Sequence, residues 1–244
     1  MRRLANHKIL EPFQRPDQKG SFYLPQKPKT DFLRGVREFN PSAYGTPGTA
    51  KEATRLKAKV DDYEAQSGGI WNYDNLYSTC ISYLKGIPRE QAEKFLASLD
   101  GPGEAKAKLS IFNALCKSIP FDQAQHIEDS PKTVSFGKRQ ATIAPDFSYK
   151  TDKGVFRVFV YPYKKPALKQ NQRMAIVSTL ASPPHSEPHF LQLVEYSEVA
   201  GRRRVTIETF EYSYRRMDED FLLHMSGFYE VLDTSSGTGD LFGS

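Results

Sequence analysis

The chain has 244 residues, 39% of them hydrophobic, with 34 Lys and Arg against 29 Asp and Glu. That length suffices for one large domain or two small ones, each with its own core. No run approaches the roughly 18 apolar residues of a membrane span, and MRRLANHKILEPFQRPDQ has no apolar stretch of the kind a secretory leader needs. The reading is therefore an intracellular protein with no membrane partner. Cys80 and Cys116 are the only cysteines, which fits a reducing compartment and core packing rather than a disulfide frame. The histidines show no zinc-ligand spacing, and His185 and His189 read as loop residues.

The formal charge of +5 is uneven: residues 1–60 hold 13 Lys and Arg against 5 Asp and Glu, and the rest 21 against 24. The basic character belongs to the N-terminus, the pattern of an arm that touches nucleic acid or an acidic partner. Residues 1–48 carry Pro12, Pro16, Pro25, Pro28, Pro41 and Pro47. Prolines fix φ and remove backbone donors, so the segment is expected to be extended rather than helical. Phe13, Phe22, Tyr23, Phe32, Phe39 and Tyr44 lie among them, so the arm is expected to pack onto something.

Residues 49–120 are expected to form a helical subdomain. Thr49 and Glu52 have capping-box spacing, and the helix they open stops at Ser67-Gly68-Gly69. The next helix aligns Tyr73, Leu76, Tyr77, Cys80 and Leu84. Pro88 suits the first turn of a third, and EAKAKLSIFNALCKS presents Leu109, Phe112, Leu115 and Cys116 as the apolar face of a fourth. Trp71 reads as a core anchor.

Residues 121–233 change period and read as an α/β core. VSFGKRQATIAPDFSYK suggests two short strands around a turn, and VFRVFVY after Gly154 a strand buried on both faces. PALKQNQRMAIVSTLAS reads as a helix and HFLQLVEYSE as a strand. Gly201 with Arg202, Arg203 and Arg204 reads as a hairpin turn into VTIETFEYSY, and RRMDEDFLLHMSGFYEVL as a closing helix. Residues 234–244 are expected to be a flexible tail. The fold class is α+β: an extended N-terminal arm, a helical subdomain, then a mixed-sheet α/β core.

Pro145-Asp146, the hairpin after it, Lys164 and Lys165 beyond the next strand, and Gln170 and Gln172 on the following helix come in a familiar order. From about residue 130 to 212, a third of the chain, the sequence resembles the PD-(D/E)xK, or restriction-endonuclease-like, nuclease superfamily. The resemblance implies that two carboxylates hold Mg²⁺ to activate water and steady the cleaved phosphate, with a lysine assisting. The sequence departs from that pattern at the second acid. Aligning Lys164 with the family lysine places Pro162 at the acid position; aligning Lys165 places Tyr163 there. An active enzyme would therefore need a migrated carboxylate, with Glu128 first and Asp152 and Glu195 behind it. Its site would be Asp146, Lys164, Glu128 and Gln170, with metal on Asp146 and Glu128.

The expected function is a non-catalytic, nucleic-acid-associated binding protein on a degenerate nuclease-like core, with no cofactor. Phosphate contacts are assigned to Arg2, Arg3, Lys27, Lys29, Arg34 and Arg37 of the arm, Lys138 and Arg139 at one turn, Lys164 and Lys165, and Arg202, Arg203 and Arg204 at another. One alternative is a structural or assembly subunit that clasps a protein partner or a second copy through residues 1–48. The other is the Mg²⁺-dependent nuclease with a migrated acid. No phosphate-binding loop, dinucleotide fingerprint or nucleophile elbow is present.

Overall fold

A computed structural model describes residues 26–65, 73–99, 101–161, 163, 167–181, 187–199, 202–211 and 216–237. Its centre is the apolar run after Gly154, strand β5 (Gly154–Tyr161), which is buried along nearly its whole length. A strand so apolar on both faces needs cover above and below, and the chain supplies it with two helical layers.

The central sheet has the order β1-β4-β5-β6-β7, with β1 (Gln125–Ile127), β4 (Phe147–Thr151), β6 (His189–Val199) and β7 (Arg202–Glu211). β4 and β5 form an antiparallel hairpin. β5 and β6 run parallel, Tyr161 pairing with Glu195 at the end, and β6 and β7 are antiparallel. Helix α7 (Gln170–Leu180) makes the crossover between the parallel pair. A separate antiparallel hairpin, β2 (Lys132–Phe136) with β3 (Arg139–Ile143), precedes β4. The fold is thus α+β with a mixed sheet, as the sequence reading expects.

Alternation along β5 sorts the core. Phe159 and Tyr161, with Leu191 and Leu193 of β6, face a cluster shared with α7, the β2–β3 hairpin, α1 (Gln26–Glu38), α3 (Ala50–Ala65) and α8 (Glu219–Gly237). Val158 and Val160, with Val194 and Tyr196, face a second cluster built on α4 (Asp74–Leu84), α5 (Arg89–Ala97) and α6 (Pro102–Ser118). Cys80 is buried in this second cluster and Cys116 packs against it. Burial raises both thiols, that of Cys116 to about 11, so both are held as packing groups.

Five expectations are corrected. Residues 26–38 are a helix, not an extended arm, and α2 (Pro41–Tyr44) follows. Pro28 lies in the first turn of α1 and Pro41 opens α2, where a missing N–H costs nothing. Phe32, Leu33 and Val36 of α1, with Phe39 just beyond it, are almost fully buried, so the helix belongs to the molecule's own core. The segment 49–120 is not one helical unit, because Leu56 and Val60 of α3 pack on the opposite side of the sheet from α4–α6. The stretch read as two strands contains three, and the arginines read as a turn begin strand β7. Finally, α8 runs to Gly237, into the residues expected to be a tail. Trp71, His185, residues 1–25 and 238–244 lie outside the described residues.

Two connections depend on glycine. Gly154 ends the β4–β5 hairpin at φ 130°, where an added Cβ would stand 2.2 Å from the Pro188 carbonyl oxygen; Val155 N–H donates to that same carbonyl. Gly35 lets α1 approach α8 so closely that a Cβ there would meet Met225 Sδ at 2.6 Å.

Candidate functional site

The candidate site lies where α1, α4 and the C-terminal half of β5 meet. Ligands of open α/β sheets gather outside the carboxyl ends of parallel strands. Asp146 sits just before β4. Its N–H donates to the Val158 carbonyl at 2.7 Å, and its carboxylate accepts the Val160 N–H at 2.6 Å. The other oxygen receives the ammonium of Lys29 from α1, and the Tyr77 hydroxyl of α4 also hydrogen-bonds to the carboxylate. The Lys29 Nζ stands 4.4 Å from the centre of the Phe159 ring and 5.2 Å from that of Tyr77, so its charge is held by a carboxylate and two ring faces together. The Asp146 side chain is 4% exposed and that of Lys29 19%. Burial pushes the Asp146 carboxyl above its ordinary value, and Lys29, the Val160 N–H and Tyr77 pull the other way.

The hairpin register sets what lies across β5 from it. Phe147 pairs with Val158, so Asp146 comes opposite Phe159, and the next residue on that face of β5 is Tyr161. The β5 positions opposite Asp146 and beyond it on that face are therefore aromatic and buried, and the one before it is Arg157. The proposed migrated acids lie elsewhere. Glu128 is exposed just after β1, and Asp152 is exposed in the β4–β5 turn. Glu195 is 2% exposed on β6, where it accepts the Leu168 N–H at 3.1 Å and Arg173 Nε at 2.7 Å. Gln170 is exposed at the start of α7. Gln172 is buried and donates from Nε2 to the carbonyls of Arg37 and Phe39, at 2.8 and 3.0 Å. It seats the end of α1 against α7. Neither Glu128 nor Gln170 is among the hydrogen-bond or ion-pair partners of Asp146, and Lys164 and Lys165 lie outside the described residues.

Beside this pair is a cation–aromatic group that the sequence reading assigned only in part. Arg34 Cζ lies 5.0 Å over the Tyr63 ring, and Arg37 Cζ 5.1 Å over the Tyr163 ring. The Tyr63 hydroxyl donates to Glu38 at 2.6 Å, and Arg55 reaches the other Glu38 oxygen at 3.0 Å. Burial raises Tyr63 first, with Glu38 adding to it, and burial raises Tyr163 to about 12 against the pull of Arg34 and Arg37. Both phenols are neutral, so the stack presents positive charge without a compensating phenolate.

A second polar chain crosses the other end of β5. Asp129 pairs with Arg157 at 2.5 Å and accepts the Ser148 hydroxyl at 3.0 Å. Arg157 Nη1 lies 2.9 Å from His189 Nδ1. Because a guanidinium only donates, Nδ1 accepts and the ring proton sits on Nε2. Glu187, held below the usual carboxylate range chiefly by Lys150, lies 3.9 Å from that nitrogen. The sequence signal for this chain was the lone arginine inside VFRVFVY, since a buried strand keeps an arginine only with partners.

The phosphate-contact residues separate into engaged and available. Lys29, assigned as a nucleic-acid contact, is engaged with Asp146. Arg34 stands 3.6 Å from Asp31, and Arg139 pairs with Asp233 at 2.6 Å near the Tyr229 ring. Lys138, Arg202 and Arg204 are exposed. The last two begin a ribbon that outruns its neighbour: residues 196–199 of β6 pair only with 202–205 of β7, beyond the end of β5. Arg2 and Arg3, and the side chains of Lys27 and Arg203, lie outside the described residues.

No family model matches the chain, and no curated protein matches it. A solved structure titled "Crystal structure of SSO0001" is similar over 73% of this chain and 84% of that one, at 12% identity and a TM-score of 0.28. A likeness at that level carries no argument about fold or function. Among the described residues, no helix is long and apolar enough to cross a membrane.

Proposed function

We propose that this chain is a nucleic-acid-associated binding protein that does not cleave its ligand, built on a degenerate nuclease-like core. The observation that carries the reading is the Lys29 ammonium on Asp146. Where a nuclease of the resembled kind would hold a divalent cation between two carboxylates, this chain sets a protein cation on one carboxylate and aromatic rings around it. The hairpin, crossover helix and parallel strand after Asp146 support the nuclease-like ancestry. The exposed Arg202 and Arg204 of β7 support the binding half, because arginines meet phosphates.

The test is fluorescence anisotropy with labelled single- and double-stranded DNA and RNA across a salt series. Binding should weaken linearly in log–log form, by about 0.9 per phosphate neutralised on a duplex. Replacing Arg202 and Arg203 together by alanine should flatten that slope by about one to two. Removing residues 1–25 tests the rest of the basic N-terminus while keeping α1. Absence of binding to any of the four ligands at low salt would overturn the reading.

A further inference from the structure

The two edges of the central sheet are treated differently. β1 is a strand of three residues, too short to template another chain, whereas β7 runs for ten residues. All ten pair with β6 on one side, and among the described residues no strand lies on the other. A long edge strand is ordinarily blunted by proline, by a bulge or by charged side chains, and the charges of RRRVTIETFE are of both signs rather than one repelling sign. RRRVTIETFE has no proline or glycine, and Val205, Thr206, Ile207, Thr209 and Phe210 are strong strand formers.

The strand is also complementary to itself. In an antiparallel pair of two copies about a two-fold axis normal to the sheet, residues that oppose one another share a face. With Thr206 opposite Thr206, Val205 falls opposite Ile207 and Arg204 opposite Glu208, each pair occurring twice. Val205 and Ile207 are half-buried against the α4–α6 side of the core, so a second copy would cover the rest of both. Arg204 is exposed on the other face. Glu208 is 46% exposed at its side chain and lies 3.7 Å from Arg173 of its own chain, which leaves it able to take a second cation. A register shifted by two residues toward the C-terminus would set Arg204 opposite Phe210 and Thr206 opposite Glu208, losing both ion pairs.

We propose that β7 is a homodimerisation edge: two copies pair β7 to β7 in this register and continue one sheet across the two-fold axis. The partner is a second copy because the charge pattern matches itself, and opposite charges directly across a strand pair stabilise it while like charges oppose it.

Sedimentation velocity of the full chain without nucleic acid, from about 1 to 100 µM, reads the association directly. The wild type should dimerise in that range. Arg204→Glu places Glu opposite Glu, and Glu208→Arg places Arg opposite Arg, so each variant alone should weaken association by about tenfold or more. An equimolar mixture of the two should dimerise again, since both cross-strand pairs are then opposite in sign. That rescue also shows that each variant is folded. A wild type that stays monomeric throughout, single variants that dimerise as well as the wild type, or a mixture that stays monomeric would each overturn the proposal.

Discussion

Lys29 and Asp146 are separated by 117 residues in the chain and joined by a hydrogen-bonded ion pair at the junction of α1, α4 and β5. The pair does two things. It ties the first described helix to the strand that the nuclease resemblance singles out, and it supplies the positive charge that a buried carboxylate requires.

If the pair neutralises that carboxylate, removing one member should cost far more than removing both. Lys29→Met should destabilise the chain by about 3–5 kcal/mol in urea unfolding, because Asp146 would remain buried and uncompensated. Adding Asp146→Asn should recover most of the loss. Equal destabilisation by the single and double variants would show that the charges do not act on one another.

A pH effect follows from Glu52. It accepts the Gly48 N–H at 2.7 Å and lies 2.6 Å from His224 Nδ1, while His224 Nε2 donates to the Gly35 carbonyl at 2.9 Å. Burial alone would raise the Glu52 carboxyl, but His224, the Gly48 N–H and Arg55 together hold it below its ordinary value. The folded state then binds fewer protons than the unfolded chain as pH falls below about 4.3, the unfolded carboxyl's value. The contribution is fully present above that pH and is lost as pH falls through the folded value. Glu52→Gln should therefore cost about 3 kcal/mol at pH 7, and thermal melts from neutral to strongly acid pH should show the gap to wild type closing at the acid end.

Gly154→Ala tests the β4–β5 hairpin that positions Asp146 against β5. The residue would have to hold φ 130° and place a methyl 2.2 Å from a backbone oxygen. A loss of about 2–4 kcal/mol in urea unfolding is expected from strain and displacement together.

Gln172→Leu leaves the carbonyls of Arg37 and Phe39 without their donor. The expected cost is about 1–3 kcal/mol by the same measurement. Hydrogen exchange should locate the loosening at the α1–α7 contact.

The strands and most helices were legible because their signals are local. VFRVFVY could only be a covered strand, while the stop read at Ser67-Gly68-Gly69 lies outside the described residues. α1 was missed because its prolines were counted without regard to position. Phe32, Leu33, Val36 and Phe39 lie at the spacing of a helical stripe, while Pro28 lies in the first turn, where helices accept it. The Thr49–Glu52 cap was legible, but its variation was not: Thr49 Oγ1 accepts the Glu52 N–H at 3.3 Å, while Glu52 reaches Gly48 rather than Thr49. The partners of Asp146 were beyond reach of any pattern, since Lys29 and Tyr77 come from distant helices. Once the hairpin register was known, an aromatic ring rather than an acid across β5 from Asp146 followed directly from Phe159.

The measurement that bears most directly on the central claim is cleavage of labelled single- and double-stranded DNA and RNA by the full chain with Mg²⁺ or Mn²⁺, beside Asp146→Ala. The Lys29–Asp146 pair predicts binding without cleavage, with no metal-dependent product from either protein. Metal-dependent cleavage by the wild type that disappears in Asp146→Ala would mean that Lys29 yields its place to a cation, and would contradict the account.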